Sequence, residues 1–249
     1  MFHRRPLVLP VLALLGSALL GLALTACSGA PAASSAPPAP KAVTVPGAPP
    51  GSQVTALVKS AFAGASAVHI KGTLVNSSGS LSLDLQLNKD DTASGTIGEG
   101  GPQIPLIAVN GKFYVQFTQE MVANTQNSAV SQIGPSLAGK WVSSDASIAS
   151  SMVSGLKPLL TYDSFVNAMF AQSSEVPTLT GTDVVNNTPV LVYESQDGST
   201  VYVTKSSPHY LQRMSAPASG SGQLDFTGWN QPVAVSPPPA NLIYSGPGA

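Results

Sequence analysis

Two hydrophobic rhythms alternate along this chain. After Ser52, the residues Val54, Leu57, Val58, Ala61, Phe62 and Ala65 recur at helical spacing and lay one apolar stripe along a helix. Ser52 stands where an N-cap belongs, and Gly64 where such a helix should stop. The period then drops to two. Val68, Ile70, Gly72 and Leu74 alternate with His69, Lys71 and Thr73; after the turn residues Asn76–Gly79, Leu81, Leu83, Leu85 and Leu87 alternate with Ser82, Asp84, Gln86 and Asn88. The second run predicts a strand with one greasy and one wet face. Strands are also expected over 93–99, 104–109 and 113–118, the last two joined at Asn110-Gly111, a pair that favours a type I′ hairpin.

The middle third loses this alternation. Ile148, Met152, Val153, Leu156, Leu159 and Leu160 suit a short helix or helix pair, and Gly155 and Pro158 should break a long one. Tyr162, Phe165, Val166 and Met169 suit another helix, capped by Thr161 or Asp163. Gly139–Val142 reads as a short strand. Strand patterns return at 178–185, 189–195, 201–205, 209–215 and 223–229, around turns at Asn186-Asn187 and Asp197-Gly198; Pro237–Pro239 should end the sheet. Nine to eleven strands with short turns, and helices grouped rather than interleaved, predict an α+β fold on an antiparallel sheet.

The N-terminus follows neither rhythm. Arg4 and Arg5 precede an apolar run, Leu7–Leu24, which ends in Leu24-Thr25-Ala26-Cys27. A basic start, an apolar stretch and small residues at a cleavage point describe a secretory signal peptide of residues 1–26. The run is about long enough to span a bilayer as a permanent anchor. The ending, however, resembles the bacterial lipobox, Leu-small-small-Cys, and that resemblance implies lipid attachment at Cys27, the sole cysteine of the chain. Residues 27–51 hold seven prolines and no aromatic residue and should form an extended tether. Its reach is at most about 70 Å. Residues 52–249 then form one domain.

Composition narrows the chemistry. Of the 249 residues only 9% are charged, and the formal net charge is −1. No basic stripe is present to displace counterions, so nucleic acid is not an expected partner. One cysteine excludes an intrachain disulfide framework, and with three histidines no metal or cofactor is expected. Ser154-Gly155-Leu156-Lys157 matches Ser-x-x-Lys, but the companion Ser-Asp-Asn and Lys-Thr-Gly are missing. His69 on a polar strand face and His209 after Pro208 read as solvated, Asp90-Asp91 as a turn, and Gly98–Gly101 and Gly220–Gly222 as turn glycines. No enzyme motif is complete, and no catalytic residue is assigned.

The lipobox, the Ala/Pro tether, the amphipathic helix, Asn110-Gly111-Lys112-Phe113-Tyr114-Val115, Gly139-Lys140-Trp141-Val142 and the stretch Leu224–Val233 together resemble the actinobacterial LppX/LprG-type lipoproteins, over nearly the whole chain. That resemblance implies a LolA-like carrier: a strongly curved antiparallel half-barrel with helices over its concave side and an apolar cavity between. It also implies diacylglyceryl attachment and usually further acylation at Cys27. Such a protein would be anchored on the extracytoplasmic side of the cell membrane. It would carry or present acylated lipids or glycolipids between membrane and outer envelope, supplied by a membrane lipid transporter.

The residues agree in kind. Burying alkyl chain releases about 0.8 kcal/mol per CH₂, so a lipid site needs many aliphatic side chains and few charges. On strands, the expected lining is Ile70, Leu81, Leu83, Leu85, Ile107, Val109, Phe113, Val115 and Phe117. On helices it is Leu57, Phe62, Met152, Leu156, Phe165 and Met169. The same stripes would build a filled core, and a sensor or structural lipoprotein of this fold is the alternative.

Overall fold

A computed structural model of the chain describes residues 39–76, 79–124, 128–148, 150–171, 175–215 and 222–246. The signal peptide and Cys27 lie outside them. The order is α1 (Gly51–Gly64), β1 (Ala67–Asn76), β2 (Gly79–Asn88), β3 (Ala93–Glu99), β4 (Ile104–Val109), β5 (Lys112–Gln116), α2 (Gln119–Asn124), α3 (Ser128–Leu137) and β6 (Trp141–Ser143). Then follow α4 (Ser150–Leu160), α5 (Tyr162–Phe170), β7 (Thr178–Val185), β8 (Thr188–Glu194), β9 (Thr200–Thr204), β10 (Leu211–Ser215) and β11 (Gly222–Thr227). The fold is α+β.

All eleven strands form one open antiparallel sheet in the order β6-β5-β4-β3-β2-β1-β11-β10-β9-β8-β7. Two meanders, β1–β6 and β7–β11, are thus joined where the first strand pairs with the last. The half-barrel bends at glycines on its inner face. Gly72 has φ +153°, and a Cβ there would lie 1.9 Å from the carbonyl oxygen of Gln223, so β11 leans over β1 in a way only glycine permits. Gly95 allows β2 the same approach to β3. Asn110 and Gly111 both have positive φ, as the I′ hairpin requires.

Both sheet edges are covered. Along β6, Ile243 makes a parallel bridge to Trp141, and the Tyr244 amide donates to the Trp141 carbonyl at 2.8 Å. Along β7, the Val43 amide donates to the Leu179 carbonyl at 2.9 Å. Covering blunts edges that could otherwise pair with another chain.

Two helix signals resolve differently from expectation. α1 begins two residues early, with Pro50 at the N-cap position and the Gln53 amide bonded to the Pro50 carbonyl, so Ser52 is not the cap. α4 continues through Gly155 and Pro158. Its buried Val153, Leu156, Leu159 and Leu160 hold it against the sheet, and packing outweighs the lost backbone bond.

Candidate functional site

The two faces of the sheet differ completely. Strand register places Ile104, Ile97, Leu83, Gly72, Leu224, Met214, Val201, Tyr193 and Leu179 in one row from β4 to β7 on the inner face. The next row holds Val142, Val115, Leu106, Gly95, Leu85, Ile70 and Phe226. Among the described residues, the buried polar side chains are Asn88, Thr204 and Gln212, none of them charged.

The second row is sealed: Ile70, Leu85, Val115, Val142 and Phe226 expose none of their surface. No void the size of a water molecule therefore reaches these side chains, and the helices fill the space above them. One end of the trough is closed as well. The Phe62 ring packs edge-on against Tyr162, Phe170, Phe226 and Trp229, and Tyr210 stacks on Trp229 at 4.6 Å. The buried Asn88 amide donates to the carbonyl of Val233 at 2.7 Å and to Thr92 Oγ1 at 2.8 Å, which pins the proline-rich tail across this end. The Tyr162 hydroxyl donates to the Phe62 carbonyl at 2.9 Å, clamping α5 to α1, and burial pushes that phenol far above its usual range.

Among the described residues, no such ring cluster stands at the opposite end. Ile104, Val201, Met214 and Leu179 in the first row, with Leu74 on the β1–β2 hairpin projecting beyond it, are only half-buried. These side chains make an uncharged apolar rim that runs without a break into the core.

The sequence-predicted lining divides accordingly. Phe62, Ile70, Leu81, Leu83, Leu85, Phe113, Val115, Phe117, Leu156 and Phe165 come together in the buried core, and Met169 lies half-buried against it. Leu57 sits half-buried beside the α1 face of Val54, Val58, Ala61 and Phe62. Ile107 pairs with Ser94 and Tyr114, which puts it on the outer face; Val109, two residues on, shares that parity. These two are corrected: Leu106 and Ala108 are the inward residues of β4. The Met152 side chain lies outside those described. The rim residues Leu74, Ile104, Val201 and Met214 were not among those expected. Sequence alternation marks the inner face, but not where neighbouring strands stop.

The outer face carries the charges. Asp84, Lys71, Asp225, Arg213 and Tyr202 stand side by side on β2, β1, β11, β10 and β9. Lys71 Nζ meets Asp84 at 2.7 Å, and Arg213 grips Asp225 with Nε at 2.6 Å and Nη2 at 3.1 Å. Such alternating neighbours stabilise the sheet. The hydrogen bond to Asp225 raises the Arg213 pKa further. His69 lies between Asp84, 2.7 Å from Nε2, and Thr227 Oγ1, 3.3 Å from Nδ1. Hydroxyl, imidazole and carboxylate in one line invite comparison with a hydrolase. The second Asp84 oxygen is taken by Lys71, so this carboxylate is shared between imidazole and ammonium.

Partial burial opposes ionisation of Asp84, but hydrogen bonds from Lys71 and His69 and their charges outweigh it, holding the carboxyl below its usual 3.8. The folded state therefore holds this proton less tightly than the unfolded chain. Its contribution is complete above the unfolded value and disappears as pH falls below about 4 through the folded one. Urea midpoints measured from pH 7 down to pH 2 should drop in that acid window. Asp84→Asn should lower the neutral-pH midpoint and flatten the acid slope; an unchanged slope would remove Asp84 from this role.

No protein-family model matches the chain, and no curated protein matches it in sequence. Solved structures do. LprF from Mycobacterium bovis is similar with TM-score 0.49 and 15% identity, over 76% of this chain and 96% of that one. Mycobacterium tuberculosis lipoprotein LppX is similar with TM-score 0.48 and 17% identity, over 74% of this chain and 99% of that one. A LolA superfamily protein from Nitrosomonas europaea is similar with TM-score 0.24 and 7% identity, over 80% and 99%.

Proposed function

We propose that the chain is a non-enzymatic envelope lipoprotein, anchored through Cys27 on the extracytoplasmic side of the membrane. It binds an acyl chain of a lipid or glycolipid on the concave side of the sheet and carries or presents it between membrane and outer envelope. One observation carries this reading: the trough is sealed at one end and along its second row, yet its other end leaves Leu74, Ile104, Leu179, Val201 and Met214 half-exposed, with no charge among them. An alkyl chain laid there gains about 0.8 kcal/mol per buried CH₂, while its polar head group stays in water at the rim.

Entry requires the helical layer to lift. The sealed second row means that a chain penetrating deeper parts α4 and α5 from the sheet. The helix pair α4–α5 packs with Leu156, Leu159, Leu160 and Phe165, and an alkyl chain entering there would replace their apolar contacts with its own. The same sealed row favours a second reading, a sensor or structural lipoprotein whose core stays filled. A membrane transporter as lipid donor belongs to the first reading only.

A charge on the rim separates the two. Met214→Asp places a carboxylate on a half-exposed site, so the protein should stay folded by circular dichroism. Acyl lipid found on the purified protein by native mass spectrometry should fall at least tenfold. Equal lipid on variant and wild type would contradict the rim as entry site.

A further inference from the structure

The place where the tether leaves the fold selects which end of the domain meets the bilayer. Residues 43–50 do not hang free. The Val43 amide is bonded to Leu179, Val45 and Ala48 pack half-buried against the core, and Tyr193 donates its hydroxyl to the Pro49 carbonyl at 2.7 Å. Leu179 belongs to the rim row, so the chain running back to Cys27 departs beside the open end.

Val43 follows Cys27 by sixteen residue steps, a reach of at most about 50 Å even if fully extended as polyproline helix. Strand β1, ten residues long, sets the depth of the domain at about 33 Å. Presenting the closed end to the membrane would consume most of that reach; presenting the open end consumes little.

The surface at this end matches that placement. Val75 on the projecting hairpin is 37% exposed, Val43 42%, and Val176, just before β7, 66%. With Leu74, Val201 and Met214 they give an apolar edge that water solvates poorly. Glu99 ends β3 and Glu194 ends β8 at this end, Asp197 lies in the β8–β9 turn, Glu175 precedes β7 and Lys41 precedes Val43, so attraction to anionic headgroups does not contribute.

We infer that the open end of the trough, edged by Val43, Val75 and Val176, docks on the bilayer surface to which the chain is anchored, through apolar contact and independently of lipid charge. This rests on the anchoring of Cys27 proposed above. It places the rim where a membrane lipid can pass into the trough without crossing water.

The test uses the full lipidated chain in vesicles of phosphatidylcholine, alone or mixed equally with phosphatidylglycerol. The Cys27 thiol is consumed by the anchor, so Val75→Cys, Val176→Cys and Val184→Cys each offer one site for a bimane label. Val184, 61% exposed at the far end of β7, is the control. Doxyl lipids should quench the labels at 75 and 176 several-fold more than at 184, equally in both vesicle types. Equal quenching at the three sites, none at any, or quenching confined to anionic vesicles would overturn the docking. Failure of the protein to sediment with vesicles would overturn the anchoring and this orientation with it. Quenching as expected on a protein free of acyl ligand would leave the docking standing and remove the carrier reading.

Discussion

Truncating Phe62 to alanine will lower the unfolding free energy by about 3–5 kcal/mol. The ring is fully buried and its centroid lies 4.7 Å from that of Trp229, 6.0 Å from Phe170, 6.1 Å from Phe226 and 6.4 Å from Tyr162. Those partners come from α1's neighbour α5, from β11 and from the segment after it, so no single shift can refill the hole. The lost area and the residual cavity therefore both count. The Tyr162 bond to the Phe62 backbone carbonyl is untouched by the substitution, and the loss reads packing alone. Leu57→Ala on the same helix, at a half-buried site, should cost less than about 1 kcal/mol. Urea unfolding of both variants, with unchanged m, checks the pair; equal losses would mean that the ring cluster does not close this end of the trough.

Gly72→Ala should be comparably damaging, by roughly 3 kcal/mol or more, from backbone strain at positive φ plus overpacking against β11. The added Cβ would sit 1.9 Å from the Gln223 carbonyl oxygen and 3.0 Å from the Leu224 Cα, both backbone, so nothing flexible can yield. Either β11 moves away from β1, which flattens the half-barrel at the joint of its two meanders, or the pair opens. Gly79→Ala is the control. Its φ of +142° imposes similar strain, but nothing lies within 4 Å of the new methyl, and about 1 kcal/mol is expected. If the two variants lose the same amount, the close approach of β11 over β1 is not what bends the sheet.

How much of this could be read beforehand depended on whether a pattern was local. The β2 run Leu81–Leu87 was legible because each inward leucine is followed by a polar residue, and the Asn110-Gly111 hairpin because its two residues tolerate positive φ. The β4 run Ile104–Val109 is apolar nearly throughout, so parity could not be assigned; only the pairing of Leu106 with Val115 and Ala108 with Phe113 turns Ile107 outward. Helices α2 and α3 left little trace because both are short and α3 contains Pro135; tertiary packing supplies what propensity does not. The outer row Asp84–Lys71–Asp225–Arg213 joins residues from both ends of the chain and exists only once β1 meets β11. The half-exposed rim has the same origin. Leu74, Val201 and Met214 look like any other core residues in sequence, and they are set apart by where the neighbouring strands end.

Whether the concave side holds an acyl chain separates a carrier from a filled-core lipoprotein. The full-length protein, extracted from its own membranes in a mild detergent, should give native mass spectra with a bound species beyond the covalent anchor. That species should leave on collisional activation and fragment as an acylated lipid. A spectrum showing the anchored protein alone, from preparations in which the membrane lipids themselves are detected, would mean that the helices never part from the sheet and that the core is simply full.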